Sequence, residues 1–377
     1  MTDTKSTYTL PDPWDKVSPD DWRDWRWQVK HSVTNLDQLR QVTPLADADL
    51  VPLKMVAAVY PVRVTPYYLS LVDWSDPHDP IRLQAIPDSR ELLAYPNLQP
   101  DPLQEESNSP LPWVVHRYRD RVLLITNNFC PVLCRFCTRK RLMRGQHVEM
   151  SFDQIDAALR YIAEHNEVHD VLVSGGNPLL LAQAKLEHIL EGLTRIKHVH
   201  VVRLATREPV TLPQRLFDEA LLRLLKRYAD KLWVSTHFNH PRELTPESVE
   251  AVHNLTRLGI PVLNQAVLLK NVNDRPETLE TLFRQLVRVK VRPYYLLHAD
   301  PTEGTGHFRT SVLRGMELIE SLRGCLSGLA LPAYVIDSPK LGKVPVVPQY
   351  VQALDGGVLR LRDLHGNHAD YPDGVDG

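Results

Sequence analysis

Cysteine is scarce in this chain, four in 377 residues. That scarcity, at this length, excludes the disulfide framework with which small secreted domains make up for a thin core. An excess of charge of one sign is lacking as well. Forty-four lysines and arginines face 46 acids, a formal net charge of −2, so nothing global points to nucleic acid or an anionic membrane as partner. No apolar run reaches the ~18 residues that would cross a bilayer. The opening MTDTKSTYTLPDPWDK has no apolar stretch of the kind a secretory signal needs. Glycine is outnumbered by proline, 16 to 30, which predicts stiff connections rather than disorder, and no short repeat recurs. What is left is an ordinary globular composition, 43% hydrophobic and 24% charged, ample for a sizeable core in one large or two medium domains.

The chain changes character along its length. Residues 1–110 open polar, pass through the helix-like, tryptophan-rich stretch Asp20-Asp21-Trp22-Arg23-Asp24-Trp25-Arg26-Trp27-Gln28-Val29, and run into proline-rich segments such as 100–112. These aromatics are expected to form a packing face. From about residue 121, short apolar runs alternate with longer segments of helical period. The predicted strands are 121–126, 170–174, 199–205, 231–236, 261–267 and 292–297. The predicted helices between them are 152–165, 184–195, 219–228, 246–258 and 276–289. A further helix, 311–323, leads to one more strand-like run, 333–336. This alternation predicts a parallel α/β sheet covered by helices, and six such units favour a partial (β/α)6 barrel over an open sheet. Polar residues and glycines fall at the strand ends: Thr126 to Asn128, Ser174 to Asn177, Thr206-Arg207, Thr236 to His240, Asn264-Gln265 and His298 to Asp300. In parallel barrels the active site lies at the carboxyl ends of the strands, so one mouth is expected to collect them.

Three of the four cysteines stand in eight residues, Cys130-Pro-Val-Leu-Cys134-Arg-Phe-Cys137. A zinc site favours two separated pairs, or a pair with distant histidines, and a disulfide set would leave one thiol over. Short cysteine runs of this kind hold iron–sulfur clusters, and a cubane held by three thiolates keeps its fourth iron open to a small molecule. Such thiols suit a reducing cytoplasm, the location expected for this protein. Cys325, far from the triplet, is expected to pack as a small hydrophobe. Gly175-Gly176 lacks the Walker lysine and the dinucleotide G-x-G-x-x-G pattern. It reads either as a turn needing positive φ or as a backbone edge approached by a ligand.

The C-x3-C-x2-C spacing resembles the radical S-adenosylmethionine (SAM) superfamily, and further motifs narrow the likeness. His116 to Leu124, the cysteine loop with Thr138 to Arg141, and Asp24 to Val29 resemble the lysine 2,3-aminomutase family. So do Thr236 to Pro241, Val291 to Tyr295, Asp337-Ser338-Pro339 and Gly342 to Val346. The resemblance spans roughly residues 20–352. It implies a radical SAM barrel over 111–330, an N-terminal helical and proline-rich extension over 1–110, and a C-terminal segment, 331–377, carrying the lysine that bonds pyridoxal 5'-phosphate (PLP). It implies an isomerase that carries a [4Fe-4S] cluster, SAM and PLP. Through a 5'-deoxyadenosyl radical, such an enzyme interconverts L-lysine and L-β-lysine.

The resemblance also implies roles for single residues. Cys130, Cys134 and Cys137 would ligate the cluster. Lys343 would bond PLP, with Lys340 as its neighbouring competitor. Arg117, Tyr118 and Arg121 match positions that bind PLP, and guanidinium forks suit a phosphate dianion. Arg139 matches the arginine that grips the substrate carboxylate, while Lys140, Arg141 and Arg144 read as solvent-facing charges. Asp300 and Asp337 match the acidic pair that holds a side-chain ammonium. Two such carboxylates raise one another's pKa until a cation relieves them, which disfavours glutamate as substrate and leaves arginine open beside lysine. Ser174, Asn177, His237 and Gln265 match strand-end positions around SAM, with Asn177 standing where the family's pattern has aspartate. No structural zinc is expected.

Two further alternatives stay open at this point: lysine chemistry within a translation-factor modification pathway, and an iron–sulfur protein that is not a mutase. The implied partners are a small amino acid and a flavodoxin- or ferredoxin-type electron donor, with no nucleic acid and no membrane. A homo-oligomer is left open.

Overall fold

The computed structural model describes residues 14–355, 358–363 and 365–372. Nine strands follow one another across a single sheet in chain order: β1 (Val114–Tyr118), β2 (Arg121–Ile125), β3 (Asp170–Ser174), β4 (Val201–Ala205), β5 (Leu232–Thr236), β6 (Val262–Leu268), β7 (Val291–His298), β8 (Ala333–Ser338) and β9 (Gly342–Pro345). Strands β2 to β8 run parallel. The hairpins β1–β2 and β8–β9 make the two end pairs antiparallel. The sheet curls until its ends meet through side chains. The Lys343 amide in β9 donates to the Tyr118 hydroxyl in β1 at 3.2 Å, and Arg117 in β1 pairs with Asp337 in β8. The result is an incomplete barrel whose seam is made by side chains.

Each of β2 to β7 is followed by one long helix: Phe152–Glu164, Gln183–Arg195, Glu219–Arg227, Pro246–Arg257, Pro276–Arg288 and Val312–Arg323. These are the six predicted units, with boundaries shifted by only a residue or two. Local chemistry explains the agreement. Ser151 and Gln154 form a reciprocal cap at the start of the first helix, which then turns Ile155, Ala158 and Ile162 inward. Pro246 and Pro276 open their helices at the position where a missing N–H costs nothing. Short strands carry mostly apolar residues, such as Val171 to Val173, and Val202 and Leu204 on either side of Arg203, and of these five only Leu172 is not fully buried.

Three features differ from expectation. The tryptophan-rich stretch forms two short helices, Pro19–Arg23 and Trp25–Lys30, because Asp24 ends the first and caps the second through the Arg26 amide. Trp22 is buried between Trp14 and Trp27, with ring centroids 6.4 and 6.1 Å away, so these rings do form a packing face. Strand β1 was not foreseen. Neither was the antiparallel sheet of β10 (Val351–Asp355), β11 (Val358–Arg362) and β12 (His368–Pro372).

The loop carrying the cysteines has no strand or helix of its own before Lys140, so its shape is imposed from outside. The Leu133 and Arg135 amides donate to Arg63 O and Gln84 O, both at 2.9 Å. Glu91, also from the N-terminal layer and 2% exposed, receives Arg135 at 2.8 and 2.6 Å and the Lys140 ammonium at 2.6 Å. Burial opposes ionisation of Glu91, but Arg135 and Lys140 outweigh it and hold the carboxyl below its ordinary range. Burial brings Lys140 down to about 8. Lys140 is thus a buried strut rather than a solvent-facing charge, and Arg141 is partly buried on Asp101, Glu105 and Glu106. Removing one partner of a buried ion pair strands the other. Glu91→Ala is therefore expected to lower unfolding free energy by about 3–5 kcal/mol, measured by chemical denaturation, and to reduce the iron bound on anaerobic reconstitution.

Candidate active site: two adjoining chambers

Two cavities of about 220 and 200 Å³ open inside the barrel at the strand ends. The first is lined by Arg117, Tyr118, Arg121, Gln265, Asp337 and Lys343 among others. The second holds Cys130, Cys134 and Cys137 with Gly175, Gly176 and Asn177. Thr138, Arg139, Ser174, His237 and Asp300 belong to both walls. The two chambers therefore adjoin, separated by no more than the side chains they share.

In the lysine chamber, Lys343 is presented by β9 directly across the seam. Its ammonium bonds Asp337 Oδ2 at 2.5 Å. Arg117 Nη2 reaches Asp337 Oδ1 at 3.2 Å and Ser338 O at 3.0 Å. The Arg121 guanidinium lies over the Tyr118 ring, 4.0 Å from its centroid. Gly342 makes the approach feasible. Its φ is +72°, and a Cβ there would sit 2.6 Å from the Tyr118 ring, so only glycine fits. Lys340 is exposed in the turn of the hairpin and lines neither chamber. Asp300 is partly buried, and that burial, followed by the Asp337 carboxylate, pushes its carboxyl up to about 7. Thr138, Lys343 and Arg117 act in the opposite sense. The Lys343 ammonium and the Arg117 guanidinium are thus the cations that Asp337 holds in this state.

Arg139 is not free in its chamber. Its Nε and Nη2 grip Glu105 at 2.7–3.0 Å. Glu105 comes from the proline-rich segment, and no sequence signal marked it. Arg203, held by Asp170, also lines this chamber and was likewise missed.

In the cysteine chamber, burial and then the neighbouring thiolates push Cys130 well up and Cys137 up as well. That mutual repulsion means the thiols converge. Among the described residues, no three His, Cys, Asp or Glu side chains are gathered around a point fit for a single metal ion, whereas a cubane needs its thiolates spread around a larger body. Arg207 Nη1 lies 2.9 Å from Cys134 Sγ. Its other nitrogens are fixed by Gln84, Glu243 and the carbonyl of His237. The strand-end pattern picks out Thr206-Arg207 but gives the arginine no role.

A Cβ on Gly176 would meet Phe129 O at 2.3 Å, and Gly175 has φ +125° with Asn127 O at 2.5 Å from its virtual Cβ. Both glycines are therefore required where β3 abuts the root of the cysteine loop, and both also line the chamber. Burial, then Arg207, lowers His237 to about 4. Its Nδ1 is buried with no partner among the described residues, on the wall common to both chambers. Gln265 sits in the lysine chamber, not against the cysteines. Cys325 is exposed, contrary to the buried packing expected, because it lies beyond the end of its helix.

Residues 124–283 match the family model described as the radical SAM superfamily, and residues 319–376 match the one described as lysine-2,3-aminomutase. Over 94% of its length and 86% of the relative's, the chain is 43% identical to the L-lysine 2,3-aminomutase of Acetoanaerobium sticklandii. It is 42% identical to that of Bacillus subtilis, over 96% of this chain and 76% of the relative. Identity to the glutamate 2,3-aminomutase of Clostridioides difficile is 39%, over 92% and 82%.

The acidic pair has a pH signature. Between the ordinary aspartate range and about 7, the folded chain holds a proton on Asp300 that the unfolded chain gives up. Stability therefore falls as pH rises through that window. Asp300→Asn removes the dependence. In thermal unfolding of the protein without cofactors, its advantage over the wild type is expected to grow from pH 4 to pH 8, reaching on the order of 3 kcal/mol.

Proposed function

The chain belongs to the lysine 2,3-aminomutase family of radical SAM enzymes, and from that premise we propose that it is an isomerase interconverting L-lysine and L-β-lysine. The observation that carries the substrate assignment is the Lys343 ammonium seated on Asp337 beside Asp300. Once the Lys343 nitrogen is bonded to PLP it offers no free ammonium, and the two carboxylates then need a cation besides Arg117, which reaches Asp337 at 3.2 Å. The side-chain ammonium of lysine meets that need, and a glutamate carboxylate would add a third negative charge.

The donor sets fit the three groups the family implies. Cys130, Cys134 and Cys137 would hold three irons of a [4Fe-4S] cluster. The cysteine chamber, walled by Ser174, Asn177 and His237, would take SAM. Lys343, Arg117, Tyr118 and Arg121 would hold PLP, with Gln265 on the wall of the same chamber. When bound, the cluster and SAM supply hydrogen abstraction by a 5'-deoxyadenosyl radical, and PLP supplies a conjugated carbon to which the migrating nitrogen is attached. The protein's part is to bind, orient and exclude water. Arg139 would hold the substrate carboxylate with Glu105 fixing its guanidinium, and Asp300 and Asp337 would hold the far end of the same molecule. A substrate so fixed at both ends crosses the wall common to the chambers, where abstraction must occur.

In this reading residues 111–330 are the radical barrel, 331–377 bring the PLP lysine to it, and 1–110 wall the site through Glu91 and Glu105. The reductant is a small flavodoxin- or ferredoxin-type protein, and the enzyme works in a reducing cytoplasm. Among the described residues no helix is long and apolar enough to cross a membrane.

Anaerobic reconstitution with iron, sulfide, PLP and SAM, followed by product analysis on lysine and arginine in parallel, is expected to yield β-lysine. Lys343→Ala should abolish the absorbance of bound PLP. Asp300→Ala should raise the lysine KM roughly a hundredfold with that absorbance intact. It is the cleaner variant of the pair, since Asp337 also touches Lys343. Unchanged turnover of lysine in the Asp300 variant, or of the spectrum in the Lys343 variant, would end the assignment.

A further inference from the structure

Arg207 has no part in the cofactor and substrate binding proposed above, yet it puts a guanidinium nitrogen on a sulfur of the cysteine triplet. It is buried and lines the cysteine chamber. Nη1 donates to Cys134 Sγ at 2.9 Å.

Its other nitrogens are held in place. Nε donates to His237 O at 3.0 Å, and Nη2 donates to Gln84 Oε1 and Glu243 Oε1, both at 2.6 Å. The guanidinium also lies over the ring of Phe136, 5.1 Å from its centroid, and Phe136 belongs to the cysteine loop itself. Glu243 is completely buried. It is fixed in turn by the Tyr68 hydroxyl at 2.8 Å and by the Asn239 and His240 amides at 2.6 and 3.0 Å. The ion pair with Glu243 would be complete without the sulfur. The fork of the arginine has a further edge, and the fold aims that edge at Cys134.

A guanidinium keeps its protons at any working pH, so the charge beside Cys134 is permanent. Transfer of one electron from a low-potential carrier to a cluster on these sulfurs adds one negative charge and moves no proton. A cationic donor on a ligating sulfur draws off part of that added charge, and so favours the reduced form over the oxidised one. In a buried site the effect is weakly screened. The Glu243 carboxylate works in the opposite sense, since it cancels part of the guanidinium charge.

We propose that Arg207, acting through the Cys134 sulfur, raises the reduction potential of the cluster and so eases its one-electron reduction, while Glu243 is a positioning residue that aims the guanidinium and limits the rise. This inference rests on the cysteine chamber holding a [4Fe-4S] cluster.

The test uses the full chain, reconstituted anaerobically with iron and sulfide and without SAM. It is titrated with dithionite through redox mediators, and the reduced cluster is read by electron paramagnetic resonance. Arg207→Gln is expected to cut the ratio of reduced to oxidised cluster about tenfold at a given poise, a fall of about 59 mV for one electron. Arg207→Lys keeps a cation for Glu243 but lacks the fork, and its potential should lie between those two. Glu243→Gln leaves the guanidinium on the sulfur and strips its counter-charge, so its potential should rise above that of the wild type. Loss of a merely structural prop would not move the two positions in opposite directions. An unchanged potential in Arg207→Gln, or no rise in Glu243→Gln, would overturn the proposal. If Arg207→Gln takes up no cluster, Arg207→Lys and Glu243→Gln decide by the same signs. A SAM affinity, measured by calorimetry, that drops in Arg207→Gln while the SAM-free potential stays at the wild-type value would put the arginine on SAM and also overturn it. A wild type that retains no iron refutes the chamber's assignment itself, and iron content shows this before any potential is measured.

Discussion

The buried Glu91 carboxylate is the constraint on which the site depends. The cysteine loop has to present three sulfurs toward one chamber, and it has almost no repetitive backbone bonding with which to hold that shape. Glu91 takes Arg135 and Lys140 from either side of Cys137, and Lys140 bonds Gly304 O at 2.7 Å as well. Those contacts tie the loop to the N-terminal layer and to the segment after β7 at once. A pair this buried adds little net stability over an apolar replacement, because desolvation cancels much of the attraction. What it adds here is position, since each charge has only one place where it is satisfied.

The same logic runs through the two chambers. Arg207 is fixed by Gln84, Glu243 and the His237 carbonyl before it meets Cys134. Arg139 is fixed by Glu105. Lys343 is fixed by Asp337. Each of these three cations has an acid or amide behind it, so these parts of the polar walls are set before any ligand arrives, which is the condition for strong electrostatic action in a water-poor site. Asp300 differs: it is an acid on the wall of both chambers, and burial pushes its carboxyl up to about 7.

Much of the architecture was legible because it rests on local chemistry. Reciprocal capping at Ser151 and Gln154, proline at the helix starts and fully apolar short strands leave little choice at each element. Strand β1 escaped notice because Val114 to Tyr118 is short, carries His116 and Arg117, and owes its strand character to pairing with β2. The sheet of β10 to β12 escaped because its strands mix charged and apolar residues without a buried face to enforce alternation. Lys140 was misread for a related reason. In sequence it is one of a run of cations, and its burial is decided by Glu91, distant along the chain.

The sequence by itself determined the chemistry on offer: three thiols at cluster spacing, a lysine after a glycine that the seam requires, two aspartates after strands pointing the same way. These follow from residue type and short-range order, which act over a few positions. Only the tertiary structure decided which charges meet. Glu105 with Arg139, Glu91 with Lys140, Arg207 with Cys134 and Thr206 with Asn177 join segments whose spacing along the chain carries no signal. The energy of a buried charge depends on what stands within a few ångströms of it, and that is known only once the barrel has closed.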